Sequence, residues 1–168
     1  SYGFHNSASD RREWLDYFLS QLDDQYKKNL AKYTLALRFR NTLLNKKPSR
    51  FKEQISASDV ELAQLSFHLT KKRVEFLEAL EPLIGETFQS LFSEKHNLKI
   101  NLDSRIIGMS VENIQKLFAN NLETDCDRGH TSYGPHKDDY VLLFSGLNYF
   151  DYCSLGQQKM SYLSMLFT

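Results

Sequence analysis

Two long helical stripes separated by a proline break constrain this chain more than any other feature. From about Asp24 to Asn45, Tyr26, Leu30, Tyr33, Leu37 and Leu44 recur at helical spacing. Lys46-Lys47-Pro48-Ser49 then interrupts the pattern, because proline has no N–H to continue a helix and its ring clashes with the preceding turn. From about Arg50 to Leu80 a second stripe follows through Phe51, Ile55, Leu62, Leu65, Leu69, Val74, Phe76, Leu77 and Leu80. Ser58-Asp59-Val60-Glu61 has the form of a capping box inside that run, but the stripe passes through it, which favours one continuous helix. Neither helix can bury its stripe alone, and a short connection makes consecutive helices antiparallel neighbours. The expectation is an αα-hairpin whose turn, Asn45 to Lys52, lies at the tip of an arm.

The arm is basic although the chain is not. Lys27, Lys28, Lys32, Arg38, Arg40, Lys46, Lys47, Arg50 and Lys52 occur between Lys27 and Lys52 without an Asp or Glu among them, while the 168 residues have a net charge of +0. Such a run is either a solvated helix face or a surface for a phosphate backbone. Lys46, Lys47, Arg50 and Lys52, at the tip, are the candidates for nucleic-acid contact.

The rest of the chain alternates helix and strand signals. Asp10-Arg11-Arg12-Glu13 reads as an N-cap with an acid three residues on, ahead of Trp14, Leu15, Phe18, Leu19 and Leu22 at helical spacing. After Glu81-Pro82, Leu83 to Phe92 reads as a further helix. Leu98 to Asp103 alternates apolar and polar residues as a half-buried strand does. Ser110 is placed to cap a helix from Val111 to about Leu122. Tyr140 to Phe144 and Leu147 to Tyr152 read as a hairpin around Ser145-Gly146. The fold class is α+β: mainly helical, with an antiparallel helical-hairpin arm and a small β-containing part. Cys126 and Cys153 follow no metal spacing. There is no apolar run of membrane-spanning length and no signal-peptide pattern at the N-terminus, so a cytoplasmic protein with free thiols is expected.

Cys153-Ser154-Leu155-Gly156-Gln157-Gln158-Lys159 stands between the last strand run and a final helical run. A Ser and a Gly at a helix start make a phosphate cradle: the glycine admits close approach, the hydroxyl donates, and the free N–H groups of the first turn point at the anion. Yet the chain contains no G-x-x-x-x-G-K-[ST] loop and no apolar strand ending in an acid that could hold Mg²⁺. Charge neutralisation and a positioned water are therefore missing, and the cradle is half of a site.

ATP-binding-cassette ATPases divide a site in this way, and the Ser154–Lys159 run resembles their signature, most closely the version in the RecF family, which is related to the SMC and Rad50 ATPases. Arg11-Arg12-Glu13-Trp14-Leu15-Asp16 resembles that family's RR-x-F-L-D segment. Tyr33, Leu37, Arg40-Asn41 and Leu43-Leu44 resemble its Y-x-x-x-L-x-x-R-N-x-L-L helix. Gly134-Pro135-His136-Lys137-Asp138-Asp139 resembles G-P-H-R-D-D, with Lys137 in place of the usual Arg; Lys159 likewise replaces Arg, and both lose the planar fork.

The resemblance implies an internal fragment of an ATPase: residues 1–23 as a lead-in helix from the head, 24–95 as the arm, and 96–168 as the return to the head, cut within the signature helix. It implies that Ser154, Gly156, Gln157, Gln158 and Lys159 act in trans on ATP held with Mg²⁺ by the opposite subunit of an ATP-dependent homodimer. Otherwise Gln157 and Gln158 are polar side chains facing solvent, and Lys159 pairs with an acidic neighbour. Arg11, Arg12 and Asp16 are expected to orient the first helix, and Gly134, Pro135, His136, Lys137, Asp138 and Asp139 to form a fixed hydrogen-bonded corner, with His136 structural rather than a base. The implied partners are double-stranded DNA at single-strand gaps, RecR and RecO, with help in loading RecA as the outcome, in recombinational repair, replication and the SOS response. By itself the fragment is expected to bind no ATP tightly and to hydrolyse none. The rival readings are a non-enzymatic coiled-coil interaction module and a fragment of another SMC-like ATPase; helices this short argue against the latter's long coiled coil.

Overall fold

The computed structural model describes residues 7–92, 98–144 and 147–148. In chain order the elements are α1 (Ala8–Leu22), α2 (Asp24–Lys46), α3 (Phe51–Phe92), β1 (Leu98–Asp103), α4 (Val111–Asn120), α5 (Leu122–Arg128), a 3₁₀ turn at Pro135–Lys137, β2 (Asp139–Phe144) and β3 (Leu147–Asn148). The class is the mainly helical α+β expected. Two compact units share these elements. One comprises the described residues of Ser1–Leu15, Arg73–Asp103 and Asp139–Thr168, the other Asp16–Lys72 and Ser104–Asp138. Each is discontinuous in sequence, whereas the segments 1–23, 24–95 and 96–168 are consecutive.

In the first unit, β1 pairs antiparallel with β2 from Leu98↔Phe144 to Asp103↔Asp139, and β2 pairs with β3 at Leu143↔Asn148 and Phe144↔Leu147. Ile100, Tyr140 and Leu142 are buried on one face, while Lys99 and Asn101 are exposed, the period of two that Leu98–Asp103 displays in sequence. Among the described strands β1 lies at the edge, and its Ile100 N–H is taken up by the Glu81 carboxylate at 3.0 Å. Arg11 grips Asp139 through two hydrogen bonds of 2.7 Å each. Trp14 packs on Tyr140 with ring centroids 5.9 Å apart.

The second unit is organised by the α2–α3 hairpin. Asp23 caps α2 by accepting from the backbone N–H groups of Gln25 and Tyr26. These bonds, the one from Tyr26 first, hold its carboxyl below the ordinary value, and it pairs with Lys72 at 3.6 Å. At the other end Leu43, Leu44 and Ile55 form a core cluster with Phe51, Leu122 and Cys126 against it. Between these ends Arg40 meets Asp59 at 2.7 Å. Early α2 thus meets late residues of the 51–72 stretch and late α2 meets early ones, which makes the pair antiparallel. α4 is capped by Ser110, whose hydroxyl accepts from the Asn113 N–H at 3.3 Å, and buries Ile114 and Phe118. In the connecting turn Lys47 (φ 44) and Arg50 (φ 62) both take the left-handed conformation, which costs a residue with a Cβ roughly 1–2 kcal/mol.

The structure corrects several local expectations. The cap of α1 is Ser7, whose hydroxyl accepts from the Asp10 N–H at 3.1 Å; Asp10 lies inside the first turn, where an acid complements the helix dipole. Ser58-Asp59 caps nothing: the Ser58 hydroxyl donates back to the Ile55 carbonyl, and α3 runs through. Nor does α3 end at Glu81, for Pro82 lies inside a 42-residue helix. Proline leaves the Glu78 carbonyl without its helical partner, but Glu78 and Pro82 are both exposed, so water can serve that group, while Leu77 and Ile84 on the same stretch stay buried. The α5 helix was not anticipated.

Arg40 generates the main stability prediction. Its side chain is 0% exposed and faces two carboxylates that are 4% and 1% exposed. Arg40→Met is expected to destabilise the fold by about 3–5 kcal/mol, because it strands buried negative charge. Arg40→Lys is expected to recover only part of that, since an ammonium cannot reproduce the fork. Urea unfolding of the variants checks both.

Candidate functional site

In the second unit the chemistry-bearing residues that the structure describes converge on the segment from Asp125 to Asp138 and on the face of α2 beneath it. Tyr26, Tyr33, Arg40 and Leu44 are all buried on that face, spaced seven, seven and four residues apart, so Arg40 occupies an apolar-stripe position. Its guanidinium uses every edge. Nε donates to Asp59 at 2.7 Å, and Nη1 donates to Asp125 at 2.7 Å and to the Thr131 hydroxyl at 2.9 Å. Nη2 reaches the Phe118 carbonyl at 3.4 Å, and the Phe118 ring centroid lies 5.5 Å from Cζ. Burial pushes the Asp59 carboxyl above its ordinary value; Arg40 pulls the other way, and the nearby Asp125 adds to the rise.

Asn41, the next residue, holds the same loop. Its side-chain oxygen accepts from both the backbone N–H and the hydroxyl of Thr131, at 2.9 and 2.7 Å. Asn45, one turn on, donates to the Gly129 carbonyl at 2.5 Å. Asp125, besides meeting Arg40, accepts from the Ser132 N–H at 3.0 Å. The adjacent Arg40-Asn41 pair is therefore a clamp on the loop after α5.

Beyond that clamp the loop continues into the Gly134–Asp138 turn. Tyr33 Oη lies 2.6 Å from His136 Nδ1, and His136 Nε2 lies 2.9 Å from the Thr131 carbonyl. A carbonyl only accepts, so Nε2 carries the proton and Nδ1 accepts from the tyrosine hydroxyl. Both ring nitrogens of His136 are engaged within the loop and α2. Gly134 has φ 128, and a Cβ there would stand 2.6 Å from Tyr33 Oη, so both backbone and space demand glycine. Pro135 starts the 3₁₀ turn and is buried with Asp138, while Lys137 is exposed. Asp139 belongs to the other unit, where its hydrogen bonds raise the Arg11 guanidinium above its ordinary value. Asp16 accepts from the Tyr26 hydroxyl. Arg12 is half-buried on α1.

Of the residues put forward for nucleic acid, Lys46, Lys47, Arg50 and Lys52 are all exposed at the hairpin turn, and Arg50 shares its charge with Glu53 at 2.5 Å. Arg40 leaves the basic run as a buried ion pair, which corrects its count as a surface cation. Ser154, Gly156, Gln157, Gln158 and Lys159 lie outside the described residues, as does the run around Ser145-Gly146. Sequence reasoning missed Asp59, Asp125 and Thr131. The signal available was phase: Asp59 falls on the stripe Ile55, Leu62, Ser66 and Leu69, all of it buried. Among the described residues no group of three or more His, Cys, Asp or Glu is arranged to hold a metal ion, and no helix is long and apolar enough to cross a membrane.

No protein-family model matches the chain. Among curated proteins it is 36% identical over 167 residues to the DNA replication and repair protein RecF of Chlamydia caviae, covering 95% of this chain and 44% of that protein. It is 32% identical over 165 residues to the protein of the same name from Clostridium perfringens, covering 96% and 45%. It superimposes on the recombination mediator protein RecF-ATPrS of the RecFOR pathway with a TM-score of 0.85 at 25% identity, over 98% of this chain and 47% of that one. For RecF-ATP of the same pathway the TM-score is 0.84 at 26% identity, over 95% and 45%. The chain spans somewhat under half the length of the relatives it matches.

Gly134→Ala is expected to destabilise the second unit by about 1–3 kcal/mol from backbone strain alone. Tyr33→Phe is expected to cost about 0.5–1.5 kcal/mol, the worth of one hydrogen bond. The double variant should cost less than the sum, because removing the hydroxyl frees the space the methyl needs. A double-mutant cycle by chemical denaturation reads that coupling.

Proposed function

We propose that the chain belongs to the RecF family and that it supplies the helical arm and part of the ATPase head of a protein that binds ATP, dimerises around it and engages DNA in recombinational repair and replication. The observation that carries this reading is the likeness to RecF over some 95% of the chain, in sequence and in fold together. In this reading residues 24–95 are the arm and the flanking segments belong to the head. Ser154, Gly156, Gln157, Gln158 and Lys159 close the nucleotide site of the opposite subunit, where ATP and Mg²⁺ are held. When bound, ATP supplies the phosphate oxygens that the signature donors neutralise. What this chain's described residues contribute is position within each unit: the Arg40-Asn41 clamp and the Tyr33–His136 bond fix the loop after α5 in one, and Arg11 fixes the start of β2 in the other.

For DNA the supporting feature is the hairpin turn. Lys46, Lys47, Arg50 and Lys52 stand exposed together, and two of them occupy left-handed backbone positions that glycine or asparagine would fill with less strain. Cations at strained turn positions support a role outside the fold. The site read is a phosphate backbone, in double-stranded DNA at single-strand gaps. RecR and RecO are the protein partners, RecA loading the outcome and the cytoplasm the compartment.

Two measurements on the full-length protein test this. Ser154→Ala is expected to lower ATP hydrolysis and ATP-driven dimerisation by about tenfold or more, the worth of a charge-assisted hydrogen bond to phosphate at roughly 1.5–3 kcal/mol; unchanged values for both overturn the signature assignment. Reversing Lys46, Lys47 and Arg50 to Glu is expected to weaken DNA binding and to flatten its dependence on salt. DNA affinity that does not move returns the turn to a solvated surface.

A further inference from the structure

We propose that the solvent face of α2 docks a helix of a partner protein, one that is apolar at its centre and acidic toward both ends. The proposal stands independently of the ATP and DNA readings. Lys28, Lys32, Leu35, Phe39, Thr42 and Lys46 follow one another at alternating spacings of four and three residues, so they form a single seam along the helix. The seam lies away from the buried row of Tyr26, Tyr33, Arg40 and Leu44. Leu35 is 63% exposed and Phe39 is 50% exposed, and as an i, i+4 pair they make one continuous apolar contact. Isolated exposed apolar residues need no explanation. Here, however, the pair sits mid-seam with exposed Lys28 and Lys32 before it and Lys46 after it. A shallow, open depression lined by Thr34, Arg38, Thr42 and Lys46 among others lies beside the seam and shares its last two residues. The seam is about 27 Å long at the helical rise per residue, the length of one helix laid alongside.

Charge selects the occupant. No acid occurs between Asp24 and Glu53, so the rim of the apolar pair is cationic throughout. A second copy of the same face would set lysine against lysine. A phosphate backbone would be satisfied by the lysines and would gain nothing from Leu35 and Phe39. A partner helix with leucine-like side chains at its middle and carboxylates toward both ends satisfies both parts of the seam, the ends giving orientation and the centre the affinity.

The test uses the full-length protein and a synthetic stapled helix of about 21 residues, long enough to span the seam, with Leu at its centre and Glu toward both ends. A control helix has Lys in place of Glu, and a short DNA duplex serves as a third probe, all read by fluorescence anisotropy at physiological salt. The Glu helix is expected to bind at least about tenfold more tightly than the Lys helix. The double variant Leu35→Ser, Phe39→Ser is expected to lose about tenfold or more of that affinity with duplex binding unchanged. Lys28→Glu with Lys32→Glu and Lys46→Glu should reverse the preference, so that the Lys helix becomes the better ligand. Any of three results overturns the proposal: equal binding of the two helices, indifference of the Glu helix to the Leu35 and Phe39 substitutions, or loss of duplex binding or of self-association on those substitutions in place of helix binding.

Discussion

A single guanidinium organises the larger of the two units. Arg40 is fully enclosed, and it touches Asp59 of α3, the α4 carbonyl at Phe118, the α5 carboxylate of Asp125 and the loop at Thr131. An apolar side chain of equal volume could fill the space but could not say which residue belongs opposite which. The cost of enclosing charge is only recovered when all the partners are in place, so the cluster penalises alternatives more than it rewards the native state. Burial raises the Asp59 carboxyl more than its bond to Arg40 lowers it, and the second carboxylate, Asp125, adds to the rise. The loop that leads to His136 is thus fixed from within the hairpin.

Much of this was legible in the residues, and what was not has physical causes. The two stripes, the proline break, the Ser110 cap and the alternation of Leu98–Asp103 each follow from local chemistry, and each was found at the expected place. The Ser7 cap was missed because Asp10 offers an equally good capping pattern three residues later, and only the path of the chain decides between them. The end of α3 was missed because proline is a strong local stop, which burial of Leu77 and Ile84 outweighs. The α5 segment, Leu-Glu-Thr-Asp-Cys-Asp-Arg, is too short and too polar to show a period.

The candidate site was half legible. Arg11, Gly134, His136 and Asp139 were named from a motif, yet the motif alone did not say what any of them touches. Arg40 was named as well, but its place in a run of cations argued for the surface while its phase argued for the interior. Phase was the better guide, because side chains on one face of a helix share one environment, whereas neighbours in sequence do not. The same rule separates Asp59, inside, from Glu61, two residues on and exposed.

The hairpin also carries a rule for chain length. Its helices are held in phase by pairs at fixed positions, Arg40 with Asp59 and Asp23 with Lys72. Adding or removing one residue inside either helix would rotate everything beyond it by about 100° and pull a carboxylate away from its cation. The turn between Lys47 and Arg50 bears no such pair across the hairpin, and lengthening a loop by a few residues costs little. Insertions and deletions among natural relatives should therefore collect at that turn and avoid the helices on either side, so that the arm varies in reach at its tip while its stem keeps a constant register.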